Sequence, residues 1–168
     1  AIWKKVATPD GRINSNYGWC IWHEDNGAQY WKVINELQSN RDSRRAQIIY
    51  TRPSIWEDYN KDGMSDFICT TAVQYFIRNN KLVTYVTMRS NDAWAGYRND
   101  YAWQKLVASW IANGLGVEVG DIIWNVASLH IYEPQFYLVQ HFIRSGNTHI
   151  TKKDFDELYK DYEPDLFE

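Results

Sequence analysis

Cysteine is scarce in this chain. Cys20 and Cys69 are the only two among 168 residues, too few for a disulfide framework, and a reducing cytoplasm is the expected setting. Positive charge is also in short supply: 18 Lys and Arg against 21 Asp and Glu leave a formal net charge of −3 and a pI near 5.8. That balance argues against direct binding to nucleic acid, which needs a clustered basic excess. No apolar run reaches the ~18 residues of a membrane span, and no signal peptide is recognisable at the start. The four histidines, His23, His130, His141 and His149, are dispersed without ligand spacing, so no metal site is expected. Internal repeats and low-complexity segments are lacking too.

Large aromatic rings are abundant instead: nine Trp and twelve Tyr in a chain that is 45% hydrophobic. Such rings furnish a packed core, a ligand cleft or a subunit interface. The length suits one globular domain, 1–168, with a charged tail over 148–168. The chain opens at Ala1 inside an amphipathic segment (Ile2, Trp3, Val6), as either a processed terminus or part of a longer protein.

Tyr30, Trp31, Ile34 and Leu37 recur at helical spacing and predict a helix over 28–38. Ala46 to Tyr50 reads as a β-branched strand closed by Pro53. Phe67 to Arg78 alternates as a strand, with Phe67, Cys69, Thr71, Val73, Tyr75 and Ile77 on one side. Asn79-Asn80 turns it into a partner strand ending at Met88. Arg89 to Asp100 is a polar, Gly-containing loop, followed by a helix from Tyr101 to Leu115 that stops near Gly114 and Gly116. Val117 to Asp121 connects to a buried strand over 122–132, and a last helix runs from Gln135 to Ile143. Helices and strands mix without βαβ regularity, which predicts an α+β fold.

Asp58-Tyr59-Asn60-Lys61-Asp62-Gly63 copies the opening half of an EF-hand loop. Cys69 stands where the bidentate Glu belongs, so the segment reads as a polar turn. A lone cysteine such as Cys69 reads either as a small buried hydrophobe or as a nucleophile. The hairpin turn sets it across from Arg89, and an arginine beside a thiol favours the nucleophilic thiolate. The expected phosphate site combines Arg44 and Arg45 with Arg89 and Ser90, because guanidinium forks match phosphate oxygens. His130 and Tyr132, two apart on one strand, face the same side and suit sugar hydroxyls.

These pieces together resemble the thymidylate synthase family. The resemblance rests on Asn40-x-Asp42-Ser43-Arg44-Arg45, the Cys69 strand, Arg89-Ser90-x-Asp92 with Gly96, Gly120-Asp121 and His130-x-Tyr132, in that order. Ile2-Trp3 and Gly11…Tyr17-Gly18 add to it. It implies a mixed β-sheet packed by helices, with the sheet forming a homodimer interface. It also implies that Cys69 adds to C6 of a pyrimidine nucleotide, whose C5 then attacks 5,10-methylenetetrahydrofolate. Arg89 and Ser90 would hold the 5′-phosphate, Arg44 and Arg45 would reach the partner's phosphate site, and His130 and Tyr132 would take the 3′-hydroxyl. Tyr17 would sit at the reacting centre, with Asp92 and Trp3 on the folate side. A family glutamate that relays protons belongs upstream of Ile2-Trp3, so the N-terminal part of the family domain is expected to lie outside this sequence.

One departure selects the base. Where synthases carry an asparagine that reads uracil, an ungapped count from Arg89 arrives at Asp100. A carboxylate accepts from the 4-amino group of cytosine and from a protonated N3, but repels O4 of uracil. Asp100, Cys69-Thr70 in place of Cys-His, the run Tyr97–Lys105 and the stretch Thr148–Lys153 are similar to the phage hydroxymethylating branch of the family. That branch makes 5-hydroxymethyl-dCMP for modified DNA, with water rather than hydride closing the reaction. The expected function is therefore dCMP hydroxymethylation, with a non-catalytic nucleotide-binding module, a thymidylate synthase or a dUMP hydroxymethylase as alternatives.

Overall fold

The computed structural model describes residues 3–161, the side chain of Trp3 excepted, so the folate-side expectation for Trp3 lies outside the described residues. The first elements are α1 (Trp3–Val6), α2 (Tyr17–Trp22), α3 (Gln29–Ser39), β1 (Gln47–Ile49), α4 (Ile55–Asp58), β2 (Thr70–Arg78) and β3 (Lys81–Met88). They are followed by β4 (Asn91–Asp92), α5 (Gly96–Leu115), β5 (Glu118–Val126), β6 (Leu129–His130), α6 (Phe136–Ser145) and α7 (Lys152–Leu158). Strands order as β1-β2-β3-β5, antiparallel except for the parallel β3–β5 pair that α5 bridges. The class is mixed α+β, as the patterning implies.

One face of the sheet makes the core. Ile48, Val73, Tyr75, Ile77, Leu82, Val86 and Met88 point into it, and α3 covers them with Val33, Ile34 and Leu37, α5 with Val107, Ala108, Ile111 and Ala112. The helical spacing of these apolar positions is what turns one stripe of each helix inward. Gly116, left-handed at φ 63°, ends α5 and donates its N–H to Ala112 and Asn113 carbonyls. The opposite sheet face leaves Ile49, Tyr85, Val119 and Ile123 at 38–49% exposure.

Asn79 and Asn80 both take positive φ, 50° and 59°, the pair of conformations a two-residue hairpin turn demands. The strand before this turn does not keep one face. Thr70 pairs Met88 and Ala72 pairs Thr87, so Thr71 is an extra residue, a β-bulge. Beyond it the alternation resets, burying Ile68 and Thr70 on one side of the bulge and Val73, Tyr75 and Ile77 on the other.

Three other segments differ from the patterning. The polar run 96–100 is the first turn of α5 rather than loop, because Arg98 and Asn99 face solvent on an amphipathic helix. The expected buried strand over 122–132 begins at Glu118, bends at 127–128 and is only half covered, since it lies at the sheet edge. Part of the charged tail is helix α7, started by Thr151, whose hydroxyl oxygen accepts from the Asp154 N–H. The EF-hand-like turn commits Asp58 to Arg52, Ser54 and Lys61, and these bonds pull its carboxyl down to about 2.

Candidate active site

The carboxyl ends of the parallel neighbours β3 and β5 continue into the small parallel pair β4–β6, which sets Asn91 beside Leu129 and Asp92 beside His130. Ligands of open sheets gather at such strand ends. A cavity of about 640 Å³ opens there, lined by Tyr17, Cys69, Ser90, Asp92, Asp100, His130 and Tyr132 among others. Its size falls in the range of small-molecule sites. A hollow of about 850 Å³ between α6 and α7 contains no cysteine.

Cys69 stands just before β2, and its carbonyl accepts the Arg89 N–H at 3.0 Å. The Thr71 bulge produces this pairing; an unbroken ladder from the Asn79-Asn80 turn would put Ser90 there instead. The Arg89 guanidinium reaches the thiol, Nη2 to Sγ at 3.7 Å, and also donates to the Ile68 and Phe67 carbonyls while stacking 4.8 Å over the Phe67 ring. Arginine does not prevail over desolvation, however. Burial pushes the Cys69 thiol above its ordinary value, Arg89 pulls against it, and the charges of Asp100 and Asp66 add to the rise. Arg89 thus favours the thiolate, as expected, and burial outweighs it.

Tyr17 opens α2, which Asn16 caps by accepting from the Trp19 N–H. The preceding loop is anchored by buried Asp66, whose carboxylate accepts the Asn14 and Ser15 N–H groups at 3.1 and 2.6 Å. Asp66 thus ties the Tyr17 loop to the segment that leads through Cys69 into β2. The Tyr17 ring packs edge-on against Tyr50 at 5.0 Å, and its hydroxyl accepts from Thr70 at 2.8 Å. Burial and the Asp100 charge raise the Tyr17 pKa, so the phenol stays protonated.

Asp100 lies on the first turns of α5. Burial pushes its carboxyl up to about 6, opposed by hydrogen bonds from Asn91 and Tyr17 and aided by the charge of Asp92. The Asn91 amide donates to Asp100 Oδ2 at 2.7 Å. Gly96 lies beside this pair, where a Cβ would press on Asp92 Cβ at 3.3 Å. His130 and Tyr132 meet edge to face at 4.9 Å, and Asp92 accepts from the Trp94 N–H at 3.0 Å. Arg44 and Arg45 are absent from the cavity lining. Both are exposed, and Arg45 Nη2 pairs with Glu36 Oε1 at 2.9 Å.

The family resemblance selects Tyr17, Cys69, Ser90, Asp92, Asp100, His130 and Tyr132, which line one cavity, with Arg89 beside the thiol. It misses buried Asn91, whose pairing with Asp100 depends on the chain doubling back through Gly96. Among the described residues, no group of three His, Cys, Asp or Glu is arranged to hold a metal ion. No helix among them is long and apolar enough to cross a membrane.

The thymidylate synthase sequence profile matches residues 1–165. The chain belongs to the thymidylate synthase family. Within it, the chain is 56% identical to the deoxycytidylate 5-hydroxymethyltransferase of Enterobacteria phage T4, over 94% of this chain and 67% of that protein. It is 55% identical to the phage T2 protein of the same name, over 95% of this chain and 68% of the relative. A thymidylate synthase of Francisella tularensis subsp. holarctica is 28% identical over 96% of this chain and 66% of its own length. The fold matches the solved thermostable thymidylate synthase A from Bacillus subtilis with a TM-score of 0.68 at 24% identity, covering 83% of this chain and 51% of that one. The chain thus spans about two thirds of the phage relatives and half of the Bacillus structure.

Proposed function

We propose that this chain carries the nucleotide site of a deoxycytidylate 5-hydroxymethyltransferase, converting dCMP to 5-hydroxymethyl-dCMP with 5,10-methylenetetrahydrofolate as co-substrate. The observation that carries the reading is a carboxylate, Asp100, facing the same cavity as the Cys69 thiol. The names of the phage relatives support the choice of base.

In this reading Asp100 shares one proton with N3 of cytosine and accepts from the 4-amino group. A carboxyl poised near 6 is suited to sharing that proton close to neutrality. Protonation at N3 draws electrons from C6, and the Cys69 sulfur adds there, leaving C5 electron-rich. C5 attacks the methylene carbon carried by the folate, and the bond from that carbon to the folate nitrogen breaks to release tetrahydrofolate. The proton is then lost from C5, with the protonated Tyr17 hydroxyl, held by Thr70, relaying it rather than acting as the base; water adds to the resulting exocyclic methylene, and the electron pair released at C5 expels the Cys69 sulfur from C6. Ser90 and Arg89 hold the phosphate, His130 and Tyr132 the 3′-hydroxyl, and Asp92 faces the folate.

Arg44 and Arg45 serve the phosphate of a second copy. Their exposure beside β1, outside their own cavity, supports that role, as does the uncovered apolar sheet face bearing Ile49, Tyr85, Val119 and Ile123. Tritium release from C5-labelled dCMP and dUMP in the presence of methylenetetrahydrofolate tests the reaction. Release from dCMP is expected; release from dUMP alone would overturn the cytosine reading.

A further inference from the structure

Behind the base-reading carboxylate lies a chain of hydrogen bonds with a fixed direction. The Trp124 indole N–H donates to Asn91 Oδ1 at 3.3 Å, and Asn91 Nδ2 donates to Asp100 Oδ2 at 2.7 Å. An indole nitrogen is only ever a donor. It therefore settles which end of the Asn91 amide is oxygen, and the NH₂ end must face Asp100. Asn91 is 3% exposed and opens the short strand β4, after which the chain turns toward Gly96. A buried amide with both ends engaged has no competing partner toward which to rotate.

We propose that Asn91 is a specificity-determining positioning residue: it makes Asp100 Oδ2 a permanent acceptor and confines any proton on that carboxyl to Oδ1. The inference rests on the cytosine reading of Asp100 and sharpens it. A protonated carboxyl, one donor and one acceptor, can pair with either base, depending on which oxygen bears the proton. Cytosine needs the proton opposite N3 and an acceptor opposite the 4-amino group. Uracil needs the acceptor opposite N3–H and the proton opposite O4. With Oδ2 held as acceptor by Asn91, the proton shared with N3 belongs to Oδ1, and Oδ2 is left for the 4-amino group. The arrangement for uracil would put a proton on the oxygen that already receives the Asn91 N–H. Trp124 acts one step further out, by holding the amide from flipping.

The test is the affinity of the protein for dCMP and for dUMP, measured by titration calorimetry on the unaltered chain, Asn91→Ala and Trp124→Phe. Losing a hydrogen bond to a charged group is worth roughly tenfold or more. Asn91→Ala is expected to lower the dCMP-to-dUMP affinity ratio by about that factor, and Trp124→Phe to lower it in the same direction by less. A merely structural role would weaken both nucleotides alike and leave the ratio unchanged, which would overturn the proposal. Should Asn91→Ala not fold, Trp124→Phe alone decides by the same ratio. If the unaltered chain itself shows no preference for dCMP, the cytosine reading fails. If the preference is present but indifferent to both substitutions, only the role of Asn91 fails.

Discussion

Arg89 stands directly across from Cys69 because one extra residue, Thr71, bulges out of β2. The guanidinium, 3.7 Å from the sulfur, works against the burial that keeps the thiol protonated. Arg89→Gln is expected to raise the midpoint of the pH dependence of Cys69 alkylation by about one unit, the scale of a close opposite charge. Iodoacetamide kinetics on a Cys20→Ser background isolate the signal, and an unmoved midpoint would show that Arg89 has no hold on the thiol.

That pairing also marks where sequence patterning succeeds and where it stops. Asn79-Asn80 announces the hairpin, and counting outward from it brings Cys69 near Arg89. The strict alternation assumed for 67–78 cannot reveal the bulge, because Thr71 is as good a strand residue as its neighbours. Polarity misleads at 96–100, where Arg98 and Asn99 read as loop yet form the solvent face of a helix. The Asn91–Asp100 bond is invisible for another reason: a contact between residues on different elements leaves no periodic trace.

Asp100 gives a pH-dependent stability whose sign is fixed. The folded chain keeps the Asp100 proton up to about pH 6, whereas an unfolded aspartate releases it near ~3.9. The folded state binds more protons in that window, so Asp100 costs stability as pH rises through it. Asp100→Asn is expected to match the unaltered chain in Tm near pH 4 and exceed it at pH 7. Parallel Tm curves would mean that Asp100 is not desolvated in the fold.

Cys69→Ser is expected to abolish tritium release from labelled dCMP while leaving dCMP affinity within a few-fold. The sugar and phosphate contacts involve other side chains, and the serine hydroxyl is a far weaker nucleophile than the thiol. Retained turnover would remove Cys69 from the reaction.

Tyr75 is fully buried and its hydroxyl has no hydrogen-bond partner among the described residues. Replacing an unpaired buried hydroxyl by hydrogen removes a desolvation cost of about 1 kcal/mol or more. Tyr75→Phe is therefore expected to stabilise the fold by about that amount in urea denaturation. A loss of stability would reveal a partner for the hydroxyl.

The open sheet face makes its own forecast. Ile123→Glu, at a position 44% exposed on that face, is expected to convert a dimer to monomer in sedimentation velocity, by placing a charge in an apolar contact. A monomeric unaltered chain would rule out the shared phosphate site.

The central claim is that Asp100 reads cytosine, and the relative affinity for dCMP and dUMP tests it most directly. A site built around a specific hydrogen-bonding pattern rejects the wrong base strongly. The unaltered protein is expected to bind dCMP at least about a hundredfold more tightly than dUMP, and Asp100→Asn to reverse that order. Equal or tighter binding of dUMP by the unaltered protein, or a preference untouched by Asp100→Asn, would contradict the account.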